Sequence, residues 1–120
     1  MNWLNLPVSV GRSPEYIGSE PSQRSTWFSL LAYCAEQENG GVIANCIDWK
    51  DRRWQQTAAV TAEEALDCCD LFWFEGDNLY VAFYPTSKEA QVQAGRSNGG
   101  KGGRPRKNPP QNQIGRASCR

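Results

Sequence analysis

The sequence predicts a mainly helical domain with one β-hairpin, an α+β fold, over residues 1–95, followed over 96–113 by a disordered basic tail rich in Gly, Arg and Pro. Three observations carry this reading. Trp27, Leu30, Leu31 and Cys34 recur at helical spacing, as do Ala62, Ala65, Leu66 and Cys69. The period then changes, because Phe72-Trp73-Phe74 and the alternating Leu79, Val81 and Phe83 flank the polar turn Glu75-Gly76-Asp77-Asn78. From Gly95 the composition turns to Gly, Arg, Lys, Asn, Pro and Gln, with no large apolar residue until Ile114. A hydrophobic content of 39% with five tryptophans in 120 residues suffices for a single modest core.

The elements follow in order. Trp3-Leu4-Asn5-Leu6 alternates weakly and predicts a short edge strand ended by Pro7, and residues 11–21, rich in Gly, Ser and Pro, predict a loop. Pro21 suits a first helical turn and Asn39-Gly40-Gly41 a stop, so the Trp27 stripe predicts a helix over 21–38. Gly41-Val42-Ile43 predicts a small strand. Asp48 is placed to cap a second helix over 49–57 that carries Trp49, Lys50, Arg52, Arg53 and Trp54. Thr61-Ala62-Glu63-Glu64 fits a capping box, with Thr61 as N-cap of a third helix over 62–70. The hairpin closes at Pro85, and Ser87 to Ala94 predicts one more short helix. Helix, short strand, helix, helix, hairpin is the element order of a winged helix-turn-helix domain; another small α+β arrangement is the alternative.

Charge divides the chain. The formal net charge is zero, from 13 cations and 13 acids, yet up to Gly95 Arg12, Arg24, Lys50, Arg52, Arg53 and Lys88 face every acid in the chain. From Arg96 onward there are only cations, so the body repels a polyanion and the tail attracts one. The N-terminal MNWLNLPVSV has neither a basic start nor a long apolar run. That predicts a cytoplasmic protein with no membrane partner, whose cysteines Cys34, Cys46, Cys68, Cys69 and Cys119 are reduced.

Enzymatic chemistry finds little footing. The chain contains no histidine, the commonest general base and metal ligand. No phosphate-cradling glycine loop follows a strand, and Glu63 and Glu64 are accounted for by capping and the helix dipole. Cys68 and Cys69 are adjacent and diverge by about 100° around a helix, while eleven residues separate Cys34 from Cys46, which is no zinc spacing. The expectation is a non-enzymatic protein without metal or cofactor.

The run Glu20-Pro21, Arg24, Thr26-Trp27, Leu30-Leu31, Tyr33-Cys34, Gln37-Glu38-Asn39-Gly40-Gly41 resembles a group of uncharacterised bacterial, often prophage-linked, proteins. Trp49-Lys50, Arg52-Arg53-Trp54, Gln56-Thr57, Val60-Thr61 and Tyr84-Pro85 continue that resemblance, which covers about residues 1–107. More loosely, the chain is similar to the N-terminal winged-helix domain of phage replication initiators and replisome organisers. Those proteins follow the domain with a linker similar to Asn98-Gly99-Gly100-Lys101-Gly102-Gly103-Arg104-Pro105. The resemblance implies a DNA-associated accessory module of mobile-element origin, with a replication or phage protein as a further partner.

Four sets of residues are candidates for contact. Lys101-Gly102-Gly103-Arg104-Pro105-Arg106-Lys107 resembles an AT-hook, but Gly102 stands where the first core arginine belongs, which leaves nonspecific attraction to DNA. A plain linker is the alternative there. Lys50, Arg52 and Arg53 are placed to meet a phosphate backbone, or else form a solvated face with stems packed on Trp49 and Trp54. The third helix carries Glu63, Glu64, Asp67 and Asp70 and no cation, which opposes insertion into the major groove. An acidic helix suits a protein partner instead. So do Trp73 and Tyr80, which point away from the core face of the hairpin.

Residues 114–120 spell IGRASCR, identical to one translation of a common short-read sequencing adapter. The expectation is that these seven residues, with Cys119 and two arginines, do not belong to the natural chain, against the alternative of an ordinary polar tail.

Overall fold

Trp27, Leu30, Leu31 and Cys34 form the central stripe of the core, each at most 4% exposed. The computed structural model describes residues 1–102, with side chains to residue 97. Met1–Glu89 make one compact unit; a second begins at Ala90, and its helical part runs to Gly102.

Five α-helices and three strands follow in the order α1 (Pro14–Ile17), α2 (Pro21–Gln37), β1 (Val42–Ile43), α3 (Asp51–Ala58), α4 (Ala62–Leu66), β2 (Phe72–Glu75), β3 (Asn78–Val81) and α5 (Thr86–Gly102). The fold is thus α+β, with a three-stranded antiparallel sheet in the order β1-β3-β2. Pro21 opens α2, and the chain leaves it through the left-handed backbone of Glu38. Gly41, at φ +81°, then passes so close to the Tyr84 ring that any Cβ would lie 2.7 Å from that residue's own Cβ. Thr61 and Glu64 close the predicted capping box on α4, with Glu64 N–H donating to Thr61 Oγ1 at 3.0 Å and Thr61 N–H to Glu64 Oε1 at 2.9 Å.

On β2 and β3, Phe72, Leu79 and Val81 face the helices and are buried, joined by Trp54, Leu71 and Ile43. Trp27 ties helix to sheet: its indole N–H donates to the Ala82 carbonyl at 2.9 Å, and its ring meets Tyr16 and Phe83 edge-on. The Tyr84 hydroxyl donates to Glu89, whose Oε1 also accepts from Gly40 N–H, fastening the start of α5 to the turn after α2.

Several expectations are corrected. Residues 3–6 form no strand, although their alternation survives as burial: Leu4 and Leu6 pack on the core while Trp3 and Asn5 are exposed. The expected loop over 11–21 contains α1, started by Pro14 and capped by Ser13 Oγ, which accepts from Tyr16 N–H. A 3₁₀ turn, Val8–Arg12, precedes it. Asp48 is not an N-cap, because residues 45–47 are pinned to the hairpin and delay α3 until Asp51. Helix α4 stops at Leu66 rather than residue 70, since Cys69 N–H turns back to the Phe72 carbonyl at 2.9 Å and leads into β2. Asp70 and the two cysteines therefore lie beyond the helix. Strand β3 ends at Val81, before Phe83 adopts a left-handed φ of 62°. Helix α5 runs past Ala94 into the stretch assigned to the tail.

Candidate nucleic-acid interface

The two helices after β1 set the charged surfaces. α3 begins with Lys50 at its N-cap, then Asp51, Arg52 and Arg53. Lys50 and Arg52 are exposed, and neither forms an ion pair among the described residues. Arg53 lies with its guanidinium carbon 4.2 Å from the centre of the Trp49 ring, a cation–π contact. Trp49 in turn packs on the buried Trp54, ring centres 4.8 Å apart. For Arg53 it is thus the charged head that lies over the indole of Trp49. Asp51 faces the other way: its Oδ1 accepts from Ala62 N–H at 2.9 Å, tying α3 to the start of α4.

A hollow of about 560 Å³ opens beside this cluster, lined by Ala44, Asn45, Asp48, Trp49, Lys50 and Arg53. Its rim is held by the hairpin turn. The Asp77 carbonyl accepts from Cys46 and Ile47 N–H, and Asn78 Oδ1 accepts from Asn45 N–H at 2.9 Å. The hairpin turn, Gly76-Asp77, is therefore bound to the loop before α3, and its tip carries Glu75 and Asp77. An acidic, tethered tip is poorly suited to entering a groove of DNA.

α4 presents Glu63 and Glu64 to solvent, with Asp67 as its C-cap. Asp67 accepts from Gln23 Nε2. Ala65, not Leu66, enters the core; Leu66 is 50% exposed and lines a second hollow with Ser22, Glu63, Glu64 and Asp67. No basic side chain stands among them.

Trp73 and Tyr80 are register partners across β2 and β3, on the side of the sheet away from the helices. Their rings lie 6.4 Å apart at 7°, both half-buried, and Trp73 Nε1–H donates to Glu75 Oε2 at 2.9 Å. Lys101 falls on α5 with its side chain outside the described residues; Arg104, Arg106, Lys107 and residues 114–120 lie outside them altogether.

The thiols behave as their burial dictates. Cys34 is enclosed, and burial pushes its pKa up to about 12; Cys46 is raised for the same reason. Cys68 is exposed and Cys69 half-buried. No group of three or more candidate metal ligands occurs among the described residues, and no helix there is long and apolar enough to cross a membrane. The hollow beside α3 and the tethered tip were not legible in the sequence, since both depend on the contact between residues 45–47 and the hairpin. No family model, curated protein or solved structure matches this chain.

Proposed function

We propose that this chain is a winged helix-turn-helix module of phage or mobile-element origin that associates with DNA through its backbone and does not read bases. The strand order β1-β3-β2 around α2, α3 and α4, with β2 and β3 as the wing, supports the fold assignment. In helix-turn-helix proteins the first helix of the pair crosses the phosphate backbone and the second enters the major groove. α3 occupies the first position and α4 the second. The observation that carries the reading is the pair of exposed cations, Lys50 and Arg52, at the start of α3, with no carboxylate partner among the described residues. The carboxylates of α4 bar base readout, and Lys101, Arg104, Arg106 and Lys107 supply further sequence-independent attraction. A role beside a replication or phage protein follows from the family resemblance.

Fluorescence anisotropy of the full chain with two unrelated duplexes and a single strand, across a salt series, tests this. The expected result is similar affinity for both duplexes and a steep fall with salt, about 0.9 in log–log slope per phosphate neutralised. No binding at about 50 mM salt, or strong preference for one duplex, overturns it.

The near-parallel Trp73–Tyr80 pair favours a second reading, a protein-interaction module that also uses the acidic α4. There, Trp73→Ala with Tyr80→Ala abolishes binding to a protein encoded beside this one while leaving DNA affinity unchanged.

A further inference from the structure

We infer that the hollow at the start of α3 is a phosphodiester seat built by Lys50 and Arg53, with Trp49 as the positioning residue that holds Arg53. The inference rests on the DNA-associated reading and names the place where the body holds the backbone. A guanidinium held over an indole by a cation–π contact spends none of its N–H groups on that contact, so its fork can still meet two phosphate oxygens. Arg53 is so placed, 4.2 Å over Trp49, and among the described residues it donates no hydrogen bond to the protein. Lys50 lines the same hollow and forms no ion pair among the described residues. Asn45, which also lines the hollow, is bonded with its neighbours Cys46 and Ile47 to the hairpin turn. Little ordering is thus left to be done on binding.

The seat takes a phosphate and not a base. Arg53 covers one face of Trp49, and the Trp54 ring crowds the indole at 4.8 Å, tilted by 54°. A base that stacks there has to displace the guanidinium. Asp48 lines the hollow as well, so its carboxylate opposes the anion, and the two cations outweigh it by one charge.

The test uses full-length protein and two probes: a duplex followed by anisotropy over salt, and inorganic phosphate followed by backbone amide shifts. Lys50→Ala with Arg53→Ala makes the salt slope shallower by about 1–2. Arg53→Lys keeps the charge yet weakens duplex binding, because the planar fork is lost. Trp49→Leu weakens it without removing any charge. Asp48→Asn strengthens it by about two- to fivefold, the worth of one exposed charge contact, a gain that a purely structural role for Asp48 does not produce. Phosphate shifts amides between residues 45 and 53, and a free nucleoside does not. If the duplex binds the parent and the Lys50/Arg53 variant equally, the seat is wrong while DNA association stands. If the parent binds no duplex, the functional reading fails; amide shifts at 45–53 with phosphate then still support the seat, and their absence overturns it too.

Discussion

Replacing Trp27 by alanine probes the joint between helix and sheet. The side chain is 4% exposed and packs edge-on against Tyr16 at 5.9 Å and Phe83 at 6.3 Å. Truncation of a buried tryptophan costs about 3–5 kcal/mol in lost transfer energy and cavity formation. It also strands the Ala82 carbonyl, which accepts the indole N–H at 2.9 Å; an acceptor left without water adds about 1–3 kcal/mol. Domains of this size hold only about 5–15 kcal/mol in total. At about 4–8 °C per kcal/mol, the two losses together lower the melting temperature by at least about 15 °C, and the variant approaches its limit of stability. Thermal melts by far-UV circular dichroism read this directly, and Trp27→Phe separates the two contributions by keeping a ring and removing the donor. Trp3→Ala is the control, because that side chain is 78% exposed and its loss should stay within about 0.5 kcal/mol. A Trp27→Ala melt within about 5 °C of the parent would refute the placement of this residue at the centre of the core.

Thr61→Ala removes the capping acceptor of Glu64 N–H and should lower stability by about 0.5–2 kcal/mol in urea titration; an unchanged midpoint would mean that α4 is held by packing alone. Gly41→Ala meets Tyr84 at 2.7 Å in addition to a φ of +81°, whereas Gly40→Ala, at φ +74°, enters open space. Gly40→Ala should therefore cost about 1–2 kcal/mol and Gly41→Ala clearly more, and equal losses would show that Tyr84 yields. The Cys34 thiol, held by burial at about 12 against an ordinary 9.0, stays protonated in the folded state while the unfolded chain ionises. Its contribution is complete below about pH 8.5 and is lost at higher pH, by up to about 1.4 kcal/mol per pH unit; a stability flat from about pH 8 to 11 contradicts this.

What was legible in the sequence is what local periodicity encodes. The Trp27 stripe, the Thr61 capping box and the alternation that places Trp73 and Tyr80 opposite Phe72 and Val81 all emerge as expected. What was not legible depends on residues far apart in the chain. Asp48 is chemically a good N-cap, but the Asp77 carbonyl takes the N–H groups of Cys46 and Ile47 and shifts the helix start to Asp51. Leu66 belongs to an apolar pattern, yet α4 ends beside it and leaves it half-exposed. The basic cluster was visible as composition; the hollow beside it exists only because the hairpin turn docks on the loop from Asn45 to Ile47.

If the proposed DNA association holds, adjacent helices of opposite charge separate holding DNA from reading it. Asp51 begins α3 and accepts from the first N–H of α4, so the two helices cannot be reoriented independently without breaking that bond. An approach that seats α4 in the major groove carries Glu63, Glu64 and Asp67 toward phosphate oxygens, and each unfavourable contact grows as water is excluded. An approach through the start of α3 meets the backbone with Lys50, Arg52 and Arg53 and leaves α4 turned toward solvent. Backbone contacts fix position and carry no sequence information. Under the proposed DNA-associated reading, any sequence preference in an assembly has to come from another component, and the exposed carboxylates of α4, together with the Trp73–Tyr80 face, are the surfaces left open to one.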